Sequence, residues 1–228
     1  ASVEETPEGL IIHQQDTTLF RCVRFFERLR AARGLPHRTS FDPARFSLQP
    51  RWSQADQVLG KSITLSYLQP TLLLDILERL EQESGATILV DWLALADLGW
   101  TPDSETTLVA TQQPLGQLLD EMLQAMDLAY CVIGPDRIQV TSPVALNARL
   151  EVEFYPLKDQ LAGGQSPAGL IQRITERLGA DKLAKIGGTL HFDAHSQHLI
   201  AALPQPQQRV LVQALQAPAS PPQPKSDP

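Results

Sequence analysis

Apolar residues recur along this chain with two alternating periods. After Pro114, Leu115, Leu118, Leu119, Met122, Leu123 and Met126 fall three or four positions apart and mark one face of a helix. After Pro70 the stripe is Leu73, Ile76, Leu77 and Leu80, and Gly85 stands where a left-handed C-terminal cap is wanted. Ser166 is placed to cap a third helix carrying Leu170, Ile171, Ile174 and Leu178, with Gly179 as its stop. Pro70, Pro114, Pro167 and Pro206 each precede such a run, and proline suits a first helical turn whose N–H groups have no helical partner. Between the helices lie short strand-like runs, SITLSY (62–67), ATILVD (86–91), TTLVA (106–110), AYCVIG (129–134) and RIQVTS (137–142), the last two joined by a Gly-Pro-Asp turn.

In order, residues 60–142 read as β-α-β, a connection, then β-α-β-β, which is an α+β unit with two helices over small sheets. Residues 150–217 read as βαββα, with strands near 150–156, 189–193 and 198–202 and helices near 167–179 and 206–216. The end of that unit recurs at the N-terminus: residues 8–34 read as strand then helix, with Leu10, Ile11 and Val23 aligning with Leu199, Ile200 and Val212. The expected division is a partial strand-helix module over 1–35, a proline-punctuated linker over 36–59, modules over 60–142 and 150–217, and a flexible Pro/Ser-rich tail over 218–228. A strand and helix alone leave an apolar face uncovered, here Leu19, Val23, Phe26 and Leu29. The segment is therefore expected to pack on a neighbouring module, or the chain to be a piece of a longer protein.

Composition narrows the function more than the fold. With a formal charge of −7 and scattered cations, the chain carries no basic stripe for a phosphate backbone, so nucleic acid is not expected as a partner. No apolar run reaches the roughly 18 to 20 residues of a membrane span. Cys22 and Cys131 are far apart and lack C-x-x-C spacing; they read as two buried thiols or a single disulfide. No nucleophile elbow, zinc-protease or phosphate-loop motif occurs, and paired carboxylates such as Glu81 and Glu83 read as helix-surface charge, so no catalytic residue, cofactor or metal is expected.

Two stretches compete for chemistry. HFDAHSQHLI (191–200) holds three of the five histidines, but in a hairpin His191 and Asp193 share a strand face, His195 lies in the turn and His198 opens the return strand. That splays them too far for ligands about 2.0–2.1 Å from one zinc ion. DWLALADLGWTPDSE (91–105) places Trp92, Leu95 and Trp100 in a long connection, either covering an open end of the sheet or forming a partner-binding patch, where tryptophan is favoured.

The run from ITLSYLQPTLLLDILERL to AYCVIGPDRIQVTS resembles the short domain at the N-terminus of secretins and of signal-transducing TonB-dependent receptors. The next segment, LEVEFYPLKD to LIAALPQPQQRVLVQALQA, resembles the following periplasmic, KH-like module of secretins, whose motif is D-x-x-T-N-x-L-I. Asp193, Ser196, Leu199 and Ile200 fall on matching positions, while Gln197 stands where that family has asparagine, which tolerates a left-handed turn better. The G-x-x-G loop by which a KH domain clamps RNA does not appear. The long amphipathic strands of a secretin pore are also missing from these 228 residues. The resemblance implies a non-enzymatic, periplasmic or envelope-associated protein that binds proteins, by self-association or through another envelope protein. The alternative is an accessory domain of an envelope enzyme or carbohydrate-binding protein.

Overall fold

A computed structural model describes residues 2–7, 9–13 and 15–217; the tail expected over 218–228 lies outside the described residues. The chain opens with a hairpin, β1 (Ser2–Thr6) and β2 (Gly9–His13), followed by helix α1 (Asp16–Ala32). Strand β1 is an addition to the sequence reading, and it turns the strand-helix segment into a hairpin followed by a helix. Residues 36–59, expected as a linker, instead hold 3-10 turns at Pro43–Phe46 and Arg51–Ser53 and the single turn α2 (Asp56–Leu59). Phe46 and Ala55 in this stretch are fully buried. Short helical turns have too few residues for an apolar period, so they are invisible to a periodicity argument.

The central module comprises β3 (Ser62–Leu72), α3 (Leu73–Ser84), β4 (Thr87–Val90), α4 (Trp92–Ala96), β5 (Glu105–Pro114), α5 (Leu115–Ala125), β6 (Ala129–Gly134) and β7 (Arg137–Thr141). Strands β3 and β5 form an antiparallel ribbon, while β7 pairs parallel with β4 and antiparallel with β6. Leu73, Ile76, Leu77 and Leu80 of α3 and Leu115, Leu118, Leu119, Met122 and Leu123 of α5 are buried in one core with Ile88, Ile138 and Val140 from the sheet. At about 1.5–3 kcal/mol per fully buried large side chain, these two helix faces dominate the module's stability. Gly85 ends α3 at φ 70°, the left-handed cap its position suggested.

Two prolines sit differently from expectation. Pro70 lies inside β3, three residues before α3, and Pro114 is the last residue of β5 and the N-cap of α5. Pairing of β3 with β5 breaks between Tyr67 and Thr71, so Pro70 occupies a bulge where no ladder N–H is required. The strand resumes at Thr71 opposite Thr106 and delays the helix to Leu73.

Helix α6 (Pro143–Ala148) leads to the C-terminal module: β8 (Glu151–Pro156), α7 (Lys158–Ala162), α8 (Pro167–Leu178), α9 (Ala180–Ile186), β9 (Thr189–Asp193), β10 (His198–Leu203) and α10 (Gln205–Gln216). Its antiparallel sheet has the order β8-β10-β9. Alternation along β10 sends Leu199, Ala201 and Leu203 into a core with Leu170, Ile174 and Leu178 of α8 and Leu211 and Leu215 of α10. Ser166 caps α8 by accepting the Gly169 amide N–H. Gln197, in the β9-β10 turn, takes φ 54°, so glutamine adopts the left-handed conformation there without the preference asparagine would bring. The whole is an α+β tandem of small modules.

Candidate functional site

The 91–105 connection folds onto the central module. The Asp91 carboxylate accepts the Ala94 N–H at the start of α4 and the Thr141 hydroxyl of β7, fixing α4 to the sheet. One helical face carries Trp92 and Leu95. Leu95 is fully buried, while Trp92 and Trp100 pack half-buried against the same core. The structure thus brings the three residues together, but inward, and Leu95 cannot touch a partner. The outward side chains are Leu93, 85% exposed, and Leu98, 43% exposed. A period of 3.6 applied to Trp92–Ala96 separates Leu93 from Trp92 and Leu95, which is the signal that would have found it.

A second open surface is the β3-β5 ribbon, in which, among the described residues, each strand pairs only with the other and keeps one edge without a strand neighbour. One face packs Ile63, Leu108 and Ala110 into the core. The other is exposed, with Val109 opposite Ser66 in register and Leu68 in the bulge; Leu68 is 74% and Val109 58% exposed. On the neighbouring sheet β4 pairs only with β7 and presents Leu89 to solvent.

Helix α1 docks in cis on the face of the C-terminal sheet that α8 and α10 leave open. Phe25 meets Phe154 at a centroid distance of 6.0 Å, and the Arg28 guanidinium lies 5.1 Å over the Phe154 ring. Arg28 donates to Glu153 and to the Val152 carbonyl, and the Arg28 and Glu153 side chains are only 2% and 1% exposed. The segment therefore packs on the C-terminal module, yet not through the apolar face expected: Leu19, Val23 and Leu29 are half-buried and Phe26 is exposed, whereas Glu27 and Arg28 are buried. The Glu27 carboxylate accepts backbone N–H groups of Arg38 and Thr39 and meets His37 Nδ1 at 2.8 Å. Residues 37–39 thus enclose Glu27, while the C-terminal sheet encloses Arg28.

The histidine hairpin has a structural task. Arg33 forks onto Asp193 with contacts of 2.6 and 3.0 Å, and Ser196 donates to the same carboxylate through its hydroxyl and its N–H. His195 lies in the turn and His198 contacts the Ser196 carbonyl through Nδ1 at 2.7 Å. Hydrogen bonds from Arg33, with Ser196 adding to them, outweigh burial and hold the Asp193 carboxyl well below its usual range. Because the folded-state pKa is depressed, this contribution is full above the unfolded value of about 4 and is lost progressively as pH falls from there through the folded-state value. Urea midpoints of the natural chain and of Asp193→Asn are expected to differ clearly at neutral pH and to converge in strong acid; a gap independent of pH would show that the carboxylate charge is not what matters.

Polar side chains also close the seam between modules. The Gln205 amide accepts the Val132 N–H at 2.9 Å and donates to the Val132 carbonyl at 2.6 Å, standing in for a strand beside β6. Gln208, fully buried, donates toward the carbonyls of Glu151, Ala201 and Leu203 and accepts the Tyr155 hydroxyl at 2.7 Å. Trp52 Nε1 donates to that hydroxyl in turn, at 3.2 Å. Arg209 stacks 5.3 Å over Tyr130, and burial raises the Tyr130 phenol and the nearby Asp120 carboxyl. Sequence reading missed these glutamines, because glutamine on a helix reads as solvated surface. Both cysteines are free thiols; burial raises Cys131, against which Arg149 packs at 3.2 Å.

No family model and no curated protein sequence matches the chain. Among solved structures it is similar to a GspC-GspD complex of the type II secretion system from enterotoxigenic Escherichia coli, at 14% identity over 68% of this chain and 96% of that one, with a TM-score of 0.25. The structure of XcpQN012 is similar at 15% identity over 70% of this chain and 67% of that one, with a TM-score of 0.27. The N-terminal domain of the secretin XcpQ from Pseudomonas aeruginosa is similar at 14% identity, with a TM-score of 0.25, over 66% of this chain and 62% of that one.

Proposed function

We propose that the chain is a non-enzymatic, envelope-associated protein-binding unit that assembles by pairing a strand with the β3-β5 ribbon. The observation that carries this reading is the ribbon itself, two long strands with an unpartnered edge each and with Leu68 and Val109 on the outer face. Unpaired backbone N–H and C=O groups on such an edge are satisfied either by water or by another strand, and strand addition is a recurrent mode of protein recognition. Leu93 on α4 and Leu98 in the turn after it form a second candidate contact, with Trp92 and Trp100 holding α4 in place from beneath. The resemblance of the central module to the secretin short domain implies a periplasmic setting.

The test is mass by light scattering over a concentration series. Self-association is expected for the natural chain, and Leu68→Lys/Val109→Lys is expected to weaken it about tenfold, since a charged edge resists strand addition. A chain that stays monomeric throughout, or one whose association ignores the lysines, would overturn the reading.

A further inference from the structure

Beyond the ribbon edge, the structure carries an unusual concentration of arginine for an acidic chain. Where α1, the 43–54 turns and the start of β8 meet, a cleft of 420 Å³ is lined by Arg21, Arg24, Arg28, Arg51 and Arg149. An adjoining cleft of 810 Å³ shares Arg24 and Arg51 and adds Arg45 from the 43–46 turn and Arg137 from the start of β7. Seven guanidinium groups thus face three carboxylates, Glu151, Glu153 and Asp136, in a molecule whose formal charge is −7.

The acids in the groove are already engaged. Glu153 holds Arg28 and the Arg51 N–H, Glu151 holds Arg51 at 3.5 Å and accepts from Gln205, and Asp136 lies 3.8 Å from Arg137. Among the described residues the guanidinium groups of Arg21, Arg24 and Arg45 have no hydrogen-bond or ion-pair partner, and that of Arg149 rests on the uncharged Gln139 and Cys131. Arg24 is half-buried; burial first, then repulsion from Arg51 and Arg28, lower its pKa, and the attraction of Glu153 and Glu151 offsets this only in part. Half-buried like charges are costly unless a counter-charge arrives.

We infer that this groove binds an acidic peptide segment of a partner protein, one carrying several Asp or Glu side chains interleaved with apolar ones. The walls supply the apolar part: Phe25, Leu150 and Val152 in one cleft, and Phe20, Ile133 and Pro135 in the other. Phe20 at the rim is 42% exposed. Guanidinium groups distributed over both clefts match carboxylates spaced along a chain, and Arg forks onto carboxylate in a bidentate manner. A long phosphate polyanion is disfavoured, because the rest of the molecule repels it. The site stands apart from the β3-β5 ribbon and does not depend on it.

The probe is a fluorescein-labelled synthetic peptide of Glu-Glu-Leu repeats, titrated with the full chain at low salt and read by anisotropy. Saturable binding is expected, weakened with rising salt, and absent for the same peptide with glutamine in place of glutamate. Arg24→Glu/Arg45→Glu is expected to lose about tenfold or more in affinity. Neither side chain holds up the fold, so an unchanged circular dichroism spectrum is expected, and Arg24→Gln/Arg45→Gln serves as a milder second variant. Absence of saturable binding, equal binding by both variants, or tighter binding of an oligonucleotide or polyphosphate would overturn the inference.

Discussion

Arg28→Met is expected to lower the stability of the chain by about 3–5 kcal/mol, the usual consequence of stranding one partner of a buried ion pair. Glu153, 1% exposed, would keep only the Arg51 N–H as a hydrogen-bond donor. The side chain lost also covers the Phe154 ring and holds the Val152 carbonyl. Urea unfolding followed by circular dichroism reads the change. The double variant Arg28→Met/Glu153→Leu is expected to recover most of the loss, because two apolar side chains of similar volume avoid both desolvation terms. If the single variant unfolded at the natural midpoint, α1 would not be fastened to the C-terminal sheet by this pair.

The second large effect concerns α10. Gln208→Ala is expected to cost about 2–4 kcal/mol, since it leaves the buried Tyr155 hydroxyl and the carbonyls around Gln208 short of partners and opens a cavity. The Tyr155 phenol, which burial already pushes far above its ordinary pKa, also receives the Trp52 indole N–H. Loss of Gln208 should therefore shift Trp52 fluorescence as well as the unfolding midpoint. A midpoint shift without any change in Trp52 emission would mean that the 51–53 turn is held by other contacts. Such a result would separate the 36–59 stretch from the Tyr155–Gln208 hydrogen bonds of α10.

Both variants sit where the sequence reading is silent, and the reason is physical. The stripes at 73–80, 115–123 and 170–178 repeat at helical spacing because each helix needs only one covered face, whatever covers it. The strand alternation at 199–203 and the cap at Gly85 are equally local, so element order and the α+β character follow from residues a few positions apart. The hairpin placement of His191, His195 and His198 belongs to the same class. Pro70 misled for a local reason too: proline fits a helix start and a strand bulge alike, and only the resumed pairing of Thr71 with Thr106 chooses the bulge.

At Trp92, Leu95 and Trp100, the composition of the connection marked a place of interest but not its orientation. Apolar residues concentrate both in patches and in cores, and the packing of α4 against β7 decides that Leu95 faces in and Leu93 faces out. The arginine groove is more remote still, since its members come from α1, two turns, the start of β7 and the link before β8, up to more than a hundred residues apart in sequence. The sequence alone determined the modules, through periodicities that any covering surface satisfies. Only the tertiary structure decided which buried charges and amides join them, because hydrogen-bond and ion-pair partners such as Arg28 and Glu153 are separated by 125 residues and leave no periodic trace.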